Sequence, residues 1–316
     1  MSIKWWGDKR EWGIICGTKE AEITSVRILD GCGRKITKLA VGDKIIVKAE
    51  FDIHEEVKEP HFGVAIFRDD GIYCYGPNSL FDRHRIEKLM KGKGWFSIEY
   101  KKMLLMPGKY WFSVGVWDKK EMLPYSFHIA YYSFRITGTN KNKQLLFLTH
   151  KWNDDKLVDS FTAKELIPID LNFLEEEWQQ KFSIKNSNVD IDPIQLLDSR
   201  GNIKDSFNTN EMMKIRIKIG RRNWHNYLIW IGISRIDGIY CHGALRNLAK
   251  DEKTLSLIYP KLQLLPGNYY LSVGIWRKNQ RKPILYKHKA SVFKMSFLGQ
   301  DHGTLYLEHS WKWELP

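Results

Sequence analysis

The sequence predicts an all-β protein built from two tandem antiparallel β-sandwiches of immunoglobulin-like or jelly-roll type, and three observations carry that prediction. The chain repeats itself: PGKYWFSVGVW at 107–117 returns as PGNYYLSVGIW at 266–276, and RDDGIYCYG at 68–76 returns as RIDGIYCHG at 235–243. Apolar and polar residues alternate with period two along most of the chain, as they do in strands with one wet face. Turn residues fall between those runs every eight to twelve residues.

The elements follow in order. At 45–51, Val47, Ala49 and Phe51 share one face while Ile46, Lys48 and Glu50 share the other. Similar short runs lie at 62–67 and 110–116. In the second half KIRIKI at 214–219 points three Ile one way and Lys214, Arg216 and Lys218 the other, and further runs lie at 269–275 and 291–297. Turns are expected at 30–33, 41–43, 69–71 and 107–108, with partners at 198–201, 237–238 and 266–267. THKW at 149–152 returns as EHSW at 308–311. The spacing drifts from 167 to 159 residues, which places a shortened loop of the second copy between the glycine of the YG/HG step and the PG turn.

A chain of 316 residues is long enough for two cores. The expected domains are 1–153, an acidic and partly helical linker at 154–182 with its helix around 171–181, and 183–316. Net charge is +13, divided as +8, −5 and +10 over those segments. No apolar run has the length of a membrane helix, and MSIKWWGDKREWG has charges where a signal peptide has its apolar core, so the expected location is cytoplasmic. The four cysteines lack CxxC spacing and read as ordinary thiols, not a disulfide framework or a metal site.

Nothing in the chain resembles catalytic apparatus. There is no phosphate loop, no GxSxG elbow and no HExxH; the glycine cluster at 31–35 is a turn between strands. No cofactor or metal is expected. His150 and His309 each precede a Trp by two positions and read as packed, hydrogen-bonded histidines of a terminal strand. The basic residues alternate singly along strands, without a nucleic-acid motif, so nucleic acid is not an expected partner.

Aromatics are in excess, at 13% of residues with 13 Trp and 14 Tyr, and Tyr73, Tyr75, Trp95, Trp117, Tyr240 and Trp276 lie beside turns. Sugar recognition takes a flat aromatic plate with planar donors and acceptors around it. The segment YCYGPNSLFDRHR at 73–85 holds such a mixture in Tyr75, Asn78, Asp82, Arg83 and His84. Trp224, Tyr227 and Trp230 form a second cluster, expected to be exposed and to mark an interface between domains or chains.

EITSVRILDGCGR, FGVAIFRDDGIYCYGPNS, LLMPGKYWFSVGVWD, an aromatic strand with His128, and LFLTHKW occur in that order. This series resembles the carboxy-terminal carbohydrate-binding domain of Wzt-type ATPase subunits of the ABC transporters that export O-antigen and related bacterial polysaccharides. The likeness covers nearly all of 10–152, and 184–313 more loosely. It implies a β-sandwich that binds the end of a lipid-linked glycan on the cytoplasmic side, peripheral to the membrane and touching it only indirectly, associates with transporter components and dimerises. The nucleotide-binding domain that normally opens such subunits has no counterpart here, so ATP hydrolysis is not assigned.

On that basis the expected glycan contacts are Tyr73, Tyr75, Asn78, Asp82, Arg83, Trp117 and His128. Second-repeat candidates are Tyr240, His242, Arg246, Trp276 and His288. There CYGPNS has become CHGALR and the Trp117–Asp118 pair has become Trp276–Arg277, so binding is expected in the first repeat. The alternative is a protein–protein assembly or dimerisation module of an export or glycosyltransferase complex, with a vestigial sugar site.

Overall fold

A computed structural model describes residues 9–119, 124–139, 143–153, 155–160, 183–185, 190–220, 223–278, 280, 283–297 and 299–316. The expected helix around 171–181 lies outside the described residues. Within them the fold is all-β, and a 3-10 turn at Lys9–Glu11 is the one helical element.

The first repeat supplies β1 (Ile15–Cys16), β2 (Ala21–Asp30), β3 (Lys38–Leu39), β4 (Ile45–Ile53), β5 (Val57–Lys58), β6 (His61–Arg68), β7 (Tyr73–Gly76), β8 (Lys88–Leu89), β9 (Gly92–Tyr100), β10 (Gly108–Trp117) and β11 (Pro124–Ile136). The second supplies β12 (Lys151–Trp152), β13 (Ser183–Lys185), β14 (Gln195–Leu197), β15 (Ser206–Asn208), β16 (Met213–Lys218), β17 (Tyr227–Arg235), β18 (Tyr240–Asn247), β19 (Thr254–Tyr259), β20 (Gly267–Arg277) and β21 (Leu285–Ser296). Two further strands, β22 (His302–Gly303) and β23 (His309–Glu314), close the chain order.

The chain forms two compact units, and they do not follow the repeats. Met1–Gly138 joins Gly299–Pro316 in one unit, while Thr139–Leu298 forms the other. The segments expected at 1–153 and 183–316 are therefore not the packing units: residues 139–153 pack with the second repeat and 299–316 with the first. The physical reason lies in the backbone. β23 pairs with β9 and β22 with β7, so the end of the second repeat completes the first unit. β12 pairs with β19, and the Leu146 amide donates to Cys241 O at 3.0 Å, so the end of the first repeat completes the second unit.

In the first unit one sheet runs β1-β11-β10-β6-β7-β22, and the other runs β2-β4-β9-β23. Strand β4 buries every second residue from Ile45 to Ile53, as its alternation requires. Phe62 of one sheet stacks on Phe96 of the other with ring centroids 4.2 Å apart. In the second unit the sheets run β13-β21-β20-β17-β18 and β14-β16-β19-β12. Met213, Ile215 and Ile217 are buried there, and Lys218 is exposed.

Several repeat motifs prove to be framework. The tyrosine after each PG turn donates back to the fourth residue before it, Tyr110 to Met106 O at 2.7 Å and Tyr269 to Leu265 O at 2.8 Å. Asp30 accepts from the Cys32 and Arg34 amides, and Asp198 from those of Arg200 and Asn202, all at 2.9 Å. The DG hairpins are braced by Arg68–Asp70 and Arg235–Asp237 ion pairs.

Candidate functional site

The segment that closes each unit lies in a groove lined by the CYG or CHG strand, and the two grooves hold different chemistry. Backbone seating is the same in both. The Thr304 and Leu305 amides donate to Cys74 O at 2.9 and 3.1 Å, and the Leu145 and Leu146 amides to Cys241 O at 3.2 and 3.0 Å. His309 and Leu307 O lie 2.9 Å apart through Nδ1, and His150 and Leu148 O 2.8 Å apart in the same way.

In the first unit the groove adds acids. Asp82 Oδ2 lies 2.8 Å from His309 Nε2 and accepts from the Trp311 indole at 2.6 Å. Tyr75, fully buried, donates to Asp301 Oδ2 at 2.8 Å, and its oxygen is 3.1 Å from His309 Nδ1. Both ring nitrogens of His309 thus face acceptors, an arrangement that favours the imidazolium. Burial pulls the His309 pKa down, but the Asp82 hydrogen bond and charge outweigh it and hold the imidazole above its ordinary value. Asp301 is raised by burial, with the Asp82 charge adding to the rise. Burial, then Asp301, raises the Tyr75 phenol well above its usual range.

The second unit has no acid at that place. His242 replaces Tyr75, and its Nδ1 lies 2.9 Å from Gln144 Nε2 and 3.3 Å from the Leu148 amide. Nδ1 also lies 3.3 Å from Leu146 O, and Nε2 is buried with no hydrogen-bond partner, as are Tyr259 Oη and the Trp152 indole nitrogen. Burial and then the nearby His150 hold His242 well below the ordinary histidine pKa. His150 is lowered too, by burial. The outer part of this groove is latched by Asn153, whose side chain donates to Glu252 at 3.0 Å and accepts from the Ser256 amide at 2.7 Å, while Arg246 lies 3.5 Å from Asp155 and 3.6 Å from Glu252.

The expected contacts divide along these lines. Tyr75 and Asp82 face the closing strand. Asn78 is buried and caps its own loop, accepting from the Phe81 amide at 2.8 Å. Arg83 sits at φ +62° on the same loop with its side chain exposed, beside exposed His84. His84 meets Trp313 edge-on at 5.0 Å, and Phe81 meets exposed His302 edge-on at 5.3 Å. Residues 81–84, His302 and Trp313 therefore form a half-exposed aromatic and basic rim.

Tyr73 lies elsewhere, stacked on Phe67 at 5.0 Å on the outer face of the β6–β10 sheet. Trp117 is buried against Phe127 at 4.9 Å, and His128 is buried beside Tyr132. In the second unit, half-buried Tyr240 accepts from the Trp230 indole at 3.3 Å, and half-buried His288 lies 3.4 Å from Ser272 Oγ. Trp276 is buried, and a Cβ on Gly274 would sit 2.2 Å from its ring, so the indole lies across a glycine backbone.

The aromatics expected beside turns and out of the core are corrected at three places, since Tyr75, Trp117 and Trp276 are buried. So is the exposed cluster: Trp224, Tyr227 and Trp230 are all buried, Trp224 edge-on to Tyr227 at 5.5 Å. The Trp230 indole lies across glycine backbone, where a Cβ on Gly232 or Gly243 would sit 2.2 or 2.6 Å from it, and it meets Trp276 edge-on at 6.3 Å, so it serves as packing. Asp301, Trp311 and Trp313 were missed by sequence reasoning. The recurring HxW of 150–152 and 309–311 was their signal, but it does not say which repeat receives it.

The family profile of the Wzt C-terminal domain matches residues 14–148 and again 181–307. The chain belongs to the Wzt C-terminal domain family. Among solved structures, one described as the crystal structure of the C-terminal domain of wzt is similar to this chain at 18% identity with a TM-score of 0.40, over 48% of this chain and 87% of that one. No curated protein matches. Like the rest of the fold, both copies of the Wzt C-terminal domain lack a metal constellation among the described residues, and no described helix is long and apolar enough to cross a membrane.

Proposed function

We propose that this chain is a non-catalytic recognition module for a bacterial surface polysaccharide, an O-antigen-like lipid-linked glycan, acting with ABC-transporter components from the cytoplasmic side of the membrane. The observation that carries this reading is the Wzt C-terminal domain match over both repeats. The sugar site is assigned to the rim of the first unit, with Trp313 as stacking plate and Arg83 and His84 as planar donors to adjacent hydroxyls or acids. Asn78 and Asp82 position the loop, and Tyr75 positions the strand that carries Trp313. The net charge of +13 suits an anionic glycan.

Titration of the full chain with purified O-polysaccharide tests this. Trp313→Ala and Arg83→Ala should each weaken binding by about 1–3 kcal/mol, roughly five- to a hundredfold, with the fold intact. Unchanged affinity in both folded variants sinks the assignment. The competing reading, a protein assembly or homodimer module, is favoured by one observation: Ile14, Ile15 and Tyr131 are 39%, 52% and 43% exposed on adjoining strands at one sheet edge. A chain that self-associates through that edge, loses association in Ile15→Lys and shows no response to glycan would make it the better account.

A further inference from the structure

We propose that the two closing segments are not interchangeable: each groove reads residues that only its own segment supplies, so residues 302–314 fit the first unit and residues 145–152 fit the second. Much of the contact is common to both. The segments share Leu-x-Leu-x-His-x-Trp, as Leu146, Leu148, His150 and Trp152 against Leu305, Leu307, His309 and Trp311, and their amides seat on Cys241 O and Cys74 O alike. Apolar burial and backbone pairing therefore do not tell one from the other. Discrimination has to come from the positions that differ.

The sharpest difference is steric. The equivalence of the amides on Cys74 and Cys241 sets Gly303 opposite Gln144. At Gly303, φ is +124°, and a Cβ there would sit 2.5 Å from Cys74 O and 2.8 Å from Tyr75 Cα. Those are backbone atoms of β7, which cannot yield as a flexible side chain would. A glutamine at that place does not fit the first groove. In the second groove the same position needs the glutamine, because Gln144 Nε2 lies 2.9 Å from His242 Nδ1 and 2.8 Å from Leu146 O.

Polar complementarity points the same way. Lys101 and Trp95 reach Glu308 at 2.6 Å and Glu314 at 2.8 Å. The residue matching Glu308 is Thr149. In the second groove Asn153 both donates and accepts, to Glu252 and from the Ser256 amide. Its match is Lys312, which has no acceptor to offer. A wrong pairing thus brings a backbone clash at 303 in the first groove, or takes from His242 Nδ1 and the Ser256 amide in the second the partners that Gln144 and Asn153 supply.

The test uses the full chain. In Gly303→Gln, hydrogen exchange at residues 304–314 should quicken by roughly tenfold or more while residues 145–152 keep their protection. Gln144→Gly should loosen 145–152 less, since it removes a hydrogen bond without a clash. A second arm exchanges the sequences of 142–153 and 301–312 and adds a protease site within 161–182. After cleavage the native chain should stay one particle by light scattering, whereas the crossed chain should separate into two. Unchanged exchange in Gly303→Gln overturns the proposal. So does a crossed chain that stays associated with native-like protection.

Discussion

The two grooves seat their closing segments on the same carbonyl and are closed by the same Leu-x-Leu-x-His-x-Trp pattern, yet in one the inner polar contacts run to acids and in the other to an amide. In the first, His309 lies between the Asp82 carboxylate and Leu307 O, and Trp311 shares the same carboxylate. In the second, His242 is read by an amide, and the Trp152 indole nitrogen has no partner. The difference teaches that a repeat can keep its packing code while its polar code diverges. Apolar contacts only require volume, whereas a buried acid must be matched atom by atom: the second copy keeps the histidine and tryptophan that Asp82 joins in the first, as His150 and Trp152, and there the indole nitrogen is left without a partner.

The largest way to break the comparison is to remove the first unit's closing segment. Leu305, Leu307 and Trp311 are buried by it, and at about 1.5–3 kcal/mol for each large apolar side chain their loss rivals the whole stability of a small domain. A chain ending at residue 298 should lose the first unit's calorimetric transition and keep the second's. Retention of two transitions would mean that the closing segment is an accessory. Next in size is Asp82→Ala, which strands His309 and the Trp311 indole together and should cost the first unit about 2–3 kcal/mol without moving the second. Tyr75→Phe removes one donor from Asp301 and should cost about 1–2 kcal/mol, read by denaturant midpoint.

The pH response sharpens the comparison by sign. His309 is raised above its unfolded value, so its contribution is complete below about pH 6.5 and is lost as pH climbs through the folded pKa. His242 is depressed, so its contribution is complete above about pH 6.5 and is lost as pH falls below it. Acidification should therefore loosen residues 145–152 and leave 304–314 protected, and mild alkali should do the reverse. Histidine ring resonances give the check: His309 should titrate above the free value and His242 should show no step near it. The smallest effect expected is Asn153→Ala, at about 1 kcal/mol on the second unit alone.

The fold was legible because it rests on local signals. Period-two alternation gave β4 and β16 their buried faces, and the Asp30 and Asp198 turns follow from an Asx carboxylate capping its own amides. The aromatic candidates were less legible, since Trp230 and Trp276 are buried by lying across the backbone of Gly232 and Gly274, whereas alternation reports only which face a residue takes. The route of the closing segments was not legible at all. Ser97 pairs with Lys312, and the sequence shows only that HxW occurs twice. The sharpest contrast between the near and the far partner, one glycine against one glutamine, is visible only once Cys74 O is seen beside it.

The pairing of β9 with β23 also sets an order of events during synthesis. The second unit receives its closing segment from residues made before its own body, so it can complete as soon as its strands have emerged. Tyr75 and Asp301 are 226 positions apart, and the first unit must wait with β9 uncovered while the whole second unit is made. At synthesis rates of about 5–20 residues per second that interval is on the order of ten to forty seconds. For that time Phe96, Ile98 and Tyr100 lie on an open strand edge, and the protein's exposure to mispairing is set by the ribosome's pace and not by the stability of either finished unit.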